Sequence, residues 1–244
     1  ARAGTSVVGN YIQAQLGKPS LVRDTSKRTF LDFVKHPFRT TKDALFKGKP
    51  KDALDGVILD KTLESRLKTI AVSTQNTKSN GAPFRNILLY GHPGTGKTMF
   101  AKNLALNSNL DYAIMTGGDV APLGRDGVTE MHKLFDWATT SKKGLLLFVD
   151  EADAFLRKRT GVDGEISEEM RNALNAFLYR TGESSTNFMV VFASNQPEQL
   201  DWAVQDRVDE IVEFTLPGLE ERKALLNQYF NMYVANPTST SKSL

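Results

Sequence analysis

Five apolar runs punctuate the chain between residues 86 and 214: NILLY (86–90), DYAIM (111–115), GLLLFVD (144–150), NFMVVFA (187–193) and EIVEF (210–214). Their length and continuity, with little polar alternation in the first four, predict strands buried on both faces. Segments of helical spacing lie between them. TMFAKNLALN follows the first run and VTEMHKLFDWATT the second, while SEEMRNALNAFLYRTG extends from a Ser167 N-cap to a stop at Gly182. Upstream, Leu63, Leu67, Ile70 and Ala71 mark an amphipathic helix over 60–74, followed by a polar linker, NTKSNGAP. The repeated strand, loop and helix argues for a parallel sheet with crossover helices. Ligands in such sheets sit at the carboxyl ends of the strands, so the loops there are where chemistry is to be sought.

Composition removes whole classes of function. The 244 residues include no cysteine, which excludes a disulfide scaffold and thiolate metal sites. Three histidines, at 36, 92 and 132, are too few and too scattered for an imidazole cage, so a metal here is expected to be Mg²⁺ held by oxygen. No run of 18 apolar residues occurs that would span a bilayer. The net charge of +3 conceals an asymmetry: residues 1–52 hold 11 Lys or Arg and 4 Asp or Glu, a balance of +7, leaving −4 for the remainder. Residues 1–52 therefore read as a basic arm suited to an anionic surface, or as a solvated tail. The opening has neither an initiator methionine nor a hydrophobic signal core and reads as part of something longer; the last ten residues, 235–244, read as a disordered tail.

Three loops carry candidate chemistry. GHPGTGKT (91–98) matches the G-x-x-x-x-G-K-[ST] phosphate loop: main-chain N–H groups wrap a phosphate, Lys97 neutralises its oxygens and Thr98 offers a hydroxyl to Mg²⁺. Its place between a strand and a helix is the context this motif requires. Asp150 and Glu151 end the third run, where carboxylates after so apolar a strand need a partner or a task. Asp150 would hold the Mg²⁺ shell and Glu151 would take a proton from the attacking water, or the pair would cap a helix. With a phosphate loop upstream, the first reading prevails. Asn195, after the fourth run, either orients a water or begins a turn; spacing alone does not separate the two.

In this order and spacing GHPGTGKT, LLLFVDEADAF and VVFASNQPEQLD resemble the AAA clade of the AAA+ ATPases. Further blocks, among them LGKPSLVRDTS, YAIMTGGDVAP, LNAFLYRTG and DEIVEFTLPG, are similar to the ATPase family AAA domain-containing protein 3 group of mitochondrial inner-membrane proteins. The resemblance covers residues 15–235. It implies an α/β P-loop NTPase with a doubly wound, parallel, five-stranded sheet in the order 5-1-4-3-2. It divides the chain into an arm (1–52), the nucleotide-binding domain (53–216), the start of a truncated helical lid (217–234) and the tail.

By the same resemblance Gly91, His92, Pro93, Gly94, Thr95, Gly96, Lys97 and Thr98, with Met99, bind ATP, while Gly56 and Val57 pack on adenine. Asp150 and Glu151 form the Walker B pair, Asn195 is sensor 1, and Arg207 is the arginine finger unless it pairs with Asp206, Asp209 or Glu210. Partners implied are ATP, Mg²⁺, identical subunits in a hexameric ring, an upstream membrane anchor and a protein substrate. The implied location is the matrix side of the mitochondrial inner membrane, where ATP hydrolysis would serve membrane and nucleoid organisation. The loop DVAPLGRDG (119–127) departs from the family by lacking the aromatic that grips a threaded polypeptide. This motivates an alternative, a scaffold governed by ATP binding rather than turnover. Direct nucleic-acid binding ranks below membrane contact, because the arm has no reading motif.

Overall fold

The computed structural model describes residues 18–27, 53–54, 56–158 and 167–235. Most of the basic arm, Asp55 and the tail 236–244 lie outside the described residues, and so do the expectations that fall on them. Among the described residues, no helix is long and apolar enough to cross a membrane.

The five apolar runs form parallel strands: β2 (Ile87–Gly91), β3 (Asp111–Thr116), β4 (Leu145–Asp150), β5 (Phe188–Ser194) and β6 (Glu210–Phe214). A two-residue strand, β1 (Asp24–Thr25), precedes them, and the sheet order is β1-β3-β4-β5-β2-β6. Counted among themselves, the parallel strands stand in the expected order 5-1-4-3-2. β1 adds a sixth strand, antiparallel, with Asp24 opposite Ile114 and Thr25 opposite Ala113. Residues 18–27, expected in the arm, thus pack on the domain, with only Asp24 and Thr25 in the sheet: the apolar pair Leu21-Val22 is buried in the core, and Ser20, Arg23 and Asp24 bond Glu130, Asp119 and Lys102.

Alternate side chains of one strand enter opposite cores, which explains the unbroken apolar runs. Leu145, Leu147 and Val149 pack with α3 (Gly127–Thr139) and α5 (Glu168–Arg180), where Phe135, Phe155, Phe177 and Phe192 meet edge to face or tilted. Leu146 and Phe148 face the other core, with α1 (Lys61–Asn80) and α2 (Lys97–Asn107). α1 starts on the Asp60 carboxylate, which accepts from Thr62 N at 2.9 Å, and ends on left-handed Gly81. It runs six residues past the expected end because no glycine or proline interrupts the polar residues 75–80, and the first residue suited to a left-handed stop is Gly81.

Short helices α4 (Ala152–Phe155) and α6 (Trp202–Gln205) follow β4 and β5, and α7 (Leu219–Phe230) with a single π turn over 231–235 follows β6. None of α7 is buried. At the amino edge of the sheet Asn86 ties three segments: its side chain accepts from Val190 N and donates to Arg207 O, and its main-chain N–H donates to Asp209.

Candidate functional site

The phosphate loop turns out of β2 at Gly91, whose φ is 133° and whose missing side chain is essential: a Cβ there would lie 2.2 Å from Phe214 O. The loop opens α2 directly, so the helix N-terminus and the loop amides face one cavity of about 400 Å³. Pro93 through Met99, Asp150, Glu151 and Asn195 line that cavity. The structure therefore brings together the loop, the Asp150-Glu151 pair and Asn195, three features more than 100 residues apart at their extremes.

Lys97 is buried, and its ammonium donates to Gly91 O at 2.7 Å, His92 O at 2.8 Å and Asn195 Oδ1 at 3.1 Å. Burial pushes its pKa below the usual lysine range, and the nearby Asp150 and Asp153 carboxylates oppose that shift. His92 acts through its carbonyl, which also accepts from the Thr95 hydroxyl. Thr98 Oγ1 and Asp150 Oδ2 stand 3.4 Å apart. This pair of hard oxygens fits Mg²⁺, which uses one or two protein ligands beside substrate phosphates. No cluster of three or more His, Cys, Asp or Glu able to hold a metal exists among the described residues, so the protein supplies no cage of its own there.

Glu151 has left-handed backbone angles, φ 48° and ψ 47°, uncommon outside glycine, and its side chain is exposed to the cavity mouth. Its N–H donates to Asp150 Oδ1 at 3.0 Å. Sequence reading missed two residues that support this corner. Gly117 lies so close that a Cβ would be 2.4 Å from Glu151 O. Asp153 accepts from the buried Ser194 hydroxyl at 2.6 Å, and Ser194 Oγ accepts from Gln196 N, which fixes the turn carrying Asn195. Asp153 could have been found as the second aspartate of DEAD; the glycine pair after β3 gave only a weak turn signal.

A second cavity of about 220 Å³ adjoins the loop and is lined by Gly56, Val57, Gly94–Gly96 and Met99. Gly56 and Val57 are the residues expected against adenine, while Gly94–Gly96 and Met99 belong to the stretch expected to bind ATP through the phosphate loop; Thr215 and Leu216 at the end of the domain and Leu225 and Tyr229 of α7 complete the wall, and none of these four is marked by the motif pattern. Arg207 is elsewhere. It sits before β6 at the amino edge of the sheet beside Asn86, with the length of β2, about 17 Å at ~3.3 Å per residue, between it and the loop. Its Nη1 donates to Ala203 O and its buried Nε has no acceptor. Of the three acids considered as partners, Asp209 is engaged by Asn86 N and Glu210 by Arg66, and no hydrogen bond or ion pair joins Arg207 to Asp206 among the described residues.

Comparisons with known proteins agree with this geometry. Residues 87–216 match the model of the ATPase family associated with various cellular activities (AAA). The chain is 64% identical over 242 residues to ATPase family AAA domain-containing protein 3-A of Xenopus laevis and 60% identical to ATPase family AAA domain-containing protein 3A of Homo sapiens, with 99% of this chain covered. It spans about 40% of the length of these relatives. Among solved structures, the FIGL-1 AAA domain superposes with a TM-score of 0.62 at 22% identity, covering 75% of this chain and 61% of that one; the same domain in complex with ADP gives the same score, covering 79% and 67%. The chain belongs to the AAA family of ATPases.

Proposed function

We propose that the chain binds MgATP and hydrolyses its terminal phosphoanhydride as a subunit of a homo-oligomeric ring. The observation that carries this reading is the meeting of Lys97, Thr98, Asp150, Glu151 and Asn195 around one cavity, beside an apolar pocket of a size to take a base. Loop amides and Lys97 bind the β- and γ-phosphates, and Met99 with Gly56 and Val57 packs on adenine. Thr98 and Asp150 would hold Mg²⁺, which supplies neutralisation of the phosphate oxygens. Glu151 accepts a proton from the attacking water, and Asn195, freed as Lys97 turns to the phosphate, orients that water. The FIGL-1 domain solved with ADP supports nucleotide occupancy of this fold.

Arg207 cannot reach its own site across the sheet, so in this reading it serves a neighbour's γ-phosphate, with six subunits closing the ring. Turnover per subunit should then rise steeply with protein concentration, and Arg207→Ala should lose activity while keeping nucleotide binding. Turnover per subunit independent of concentration in a monomeric protein would contradict the ring-based site.

Placement on the matrix side of the mitochondrial inner membrane, with an upstream membrane anchor, nucleoid organisation and a protein substrate, rests on the resemblance to the ATPase family AAA domain-containing protein 3 group. Protease protection of the domain in intact mitochondria and its loss after both membranes are opened tests the location. The aromatic-free loop after β3 favours one rival, a scaffold set by ATP binding alone. A scaffold assembles and releases identically with ATP and a non-hydrolysable analogue; release that requires hydrolysis excludes it.

A further inference from the structure

The segment ahead of the nucleotide-binding domain is fastened to it at many points within ten residues. Leu21 and Val22 enter the core that holds Met115 and Val120. Arg23 N donates to Ile114 O at 2.8 Å and Ser26 N to Tyr112 O at 3.1 Å, which extends the sheet along β3. Asp24 accepts from Lys102 of α2 at 2.7 Å, and Ser20 bonds Glu130 of α3. The segment therefore grips the helix that Lys97 opens and the strand that leads to Gly117.

Its most directed contact is Arg23 with Asp119. Nε reaches Oδ2 and Nη2 reaches Oδ1, both at 2.6 Å, a forked pairing that a lysine cannot make. Asp119 closes the single 3₁₀ turn Gly117–Asp119, and Val120 N returns to Gly117 O at 3.3 Å. The first residue of that turn is in backbone contact with Glu151 O. A left-handed glutamate persists only where its surroundings hold it. Here the holders are Asp150 Oδ1 on its N–H, Ala154 N on its carbonyl at 2.9 Å, and the face of Gly117. The last depends on where the turn sits, and Arg23 ties that turn to the upstream segment.

We propose that Arg23, through Asp119, is a positioning residue for Glu151: it presses the Gly117 turn against the glutamate's main chain and so links the hydrolytic corner to the segment preceding the domain. The proposal rests on the hydrolysis reading given under Proposed function. Arg23 is solvent-exposed and Asp119 half-buried, with 58% and 31% of their side chains accessible, so the pair adds little to stability and its substitution leaves the fold in place. Its effect is on geometry at Glu151, felt in the chemical step rather than in nucleotide binding.

The test uses the whole chain with steady-state turnover, MgATP binding and amide hydrogen exchange. Arg23→Gln and Asp119→Asn each lower kcat about tenfold with KM and thermal midpoint little changed. The exchanged pair, Arg23→Asp with Asp119→Arg, recovers a large part of the lost kcat. Full kcat in both single variants overturns the proposal, as does an exchanged pair no better than the singles. If the wild type binds MgATP but turns none over, the hydrolysis reading fails by itself, and exchange then decides the positioning claim. Faster exchange at the Glu151 and Val120 amides in Arg23→Gln supports it, and unchanged exchange there overturns it.

Discussion

The Lys97 ammonium lies 3.1 Å from Asn195 Oδ1 and is otherwise spent on two carbonyls of its own loop. In the proposed reading the phosphate-binding lysine and the water-orienting asparagine thus hold each other, and phosphate arrival parts them. Lys97→Ala should abolish detectable MgATP binding by calorimetry. Asn195→Ala should bind MgATP and lose about 100-fold in kcat, the scale for losing one oriented polar group at the reacting centre.

Burial depresses the Lys97 pKa, and a bound triphosphate favours its charged form, so the complex retains a proton that the free protein gives up first. Affinity for MgATP should therefore fall with rising pH, starting below the usual lysine range. In Lys97→Arg, whose guanidinium does not deprotonate, any remaining affinity should show no such decline. Binding isotherms at graded alkaline pH check this.

Gly117→Ala places a methyl 2.4 Å from Glu151 O, and a backbone atom cannot swing aside as a flexible side chain would. Expected costs are roughly 1–3 kcal/mol in denaturant unfolding, as for other overpacked sites, with a fall in kcat larger than any change in KM.

Ser194→Ala removes the hydroxyl that joins Asp153 to the turn bearing Asn195. Leaving these partners unpaired should cost about 1–3 kcal/mol and slow turnover with MgATP affinity near wild type, while Ser194→Thr, which keeps the hydroxyl, should retain more of the turnover than Ser194→Ala even though its added methyl crowds a buried site.

The loop at 91–98, the Asp150-Glu151 pair and all five parallel strands were legible because each rests on local pattern: glycine spacing before a helix, or apolar runs that end in polar residues. What was not legible depends on residues distant in sequence. Arg23 and Asp119 are 96 positions apart and look like ordinary surface charges until β1 joins β3. Leu225 and Tyr229 line the cavity of about 220 Å³ only because α7, far along the chain, lies beside Gly56 and the loop, and Gly117 is distinguished from other turn glycines by Glu151 behind it. The α1 terminus falls six residues beyond the expected one because the polar stretch that resembles a linker continues the helix, and Gly81 supplies the stop.

The central claim is that Glu151 is the base that activates water in a site otherwise built for binding. The most direct measurement is ATP turnover of Glu151→Gln beside its MgATP affinity. A loss of about 100-fold or more in kcat with affinity retained is the predicted result. Undiminished turnover in Glu151→Gln would contradict the account.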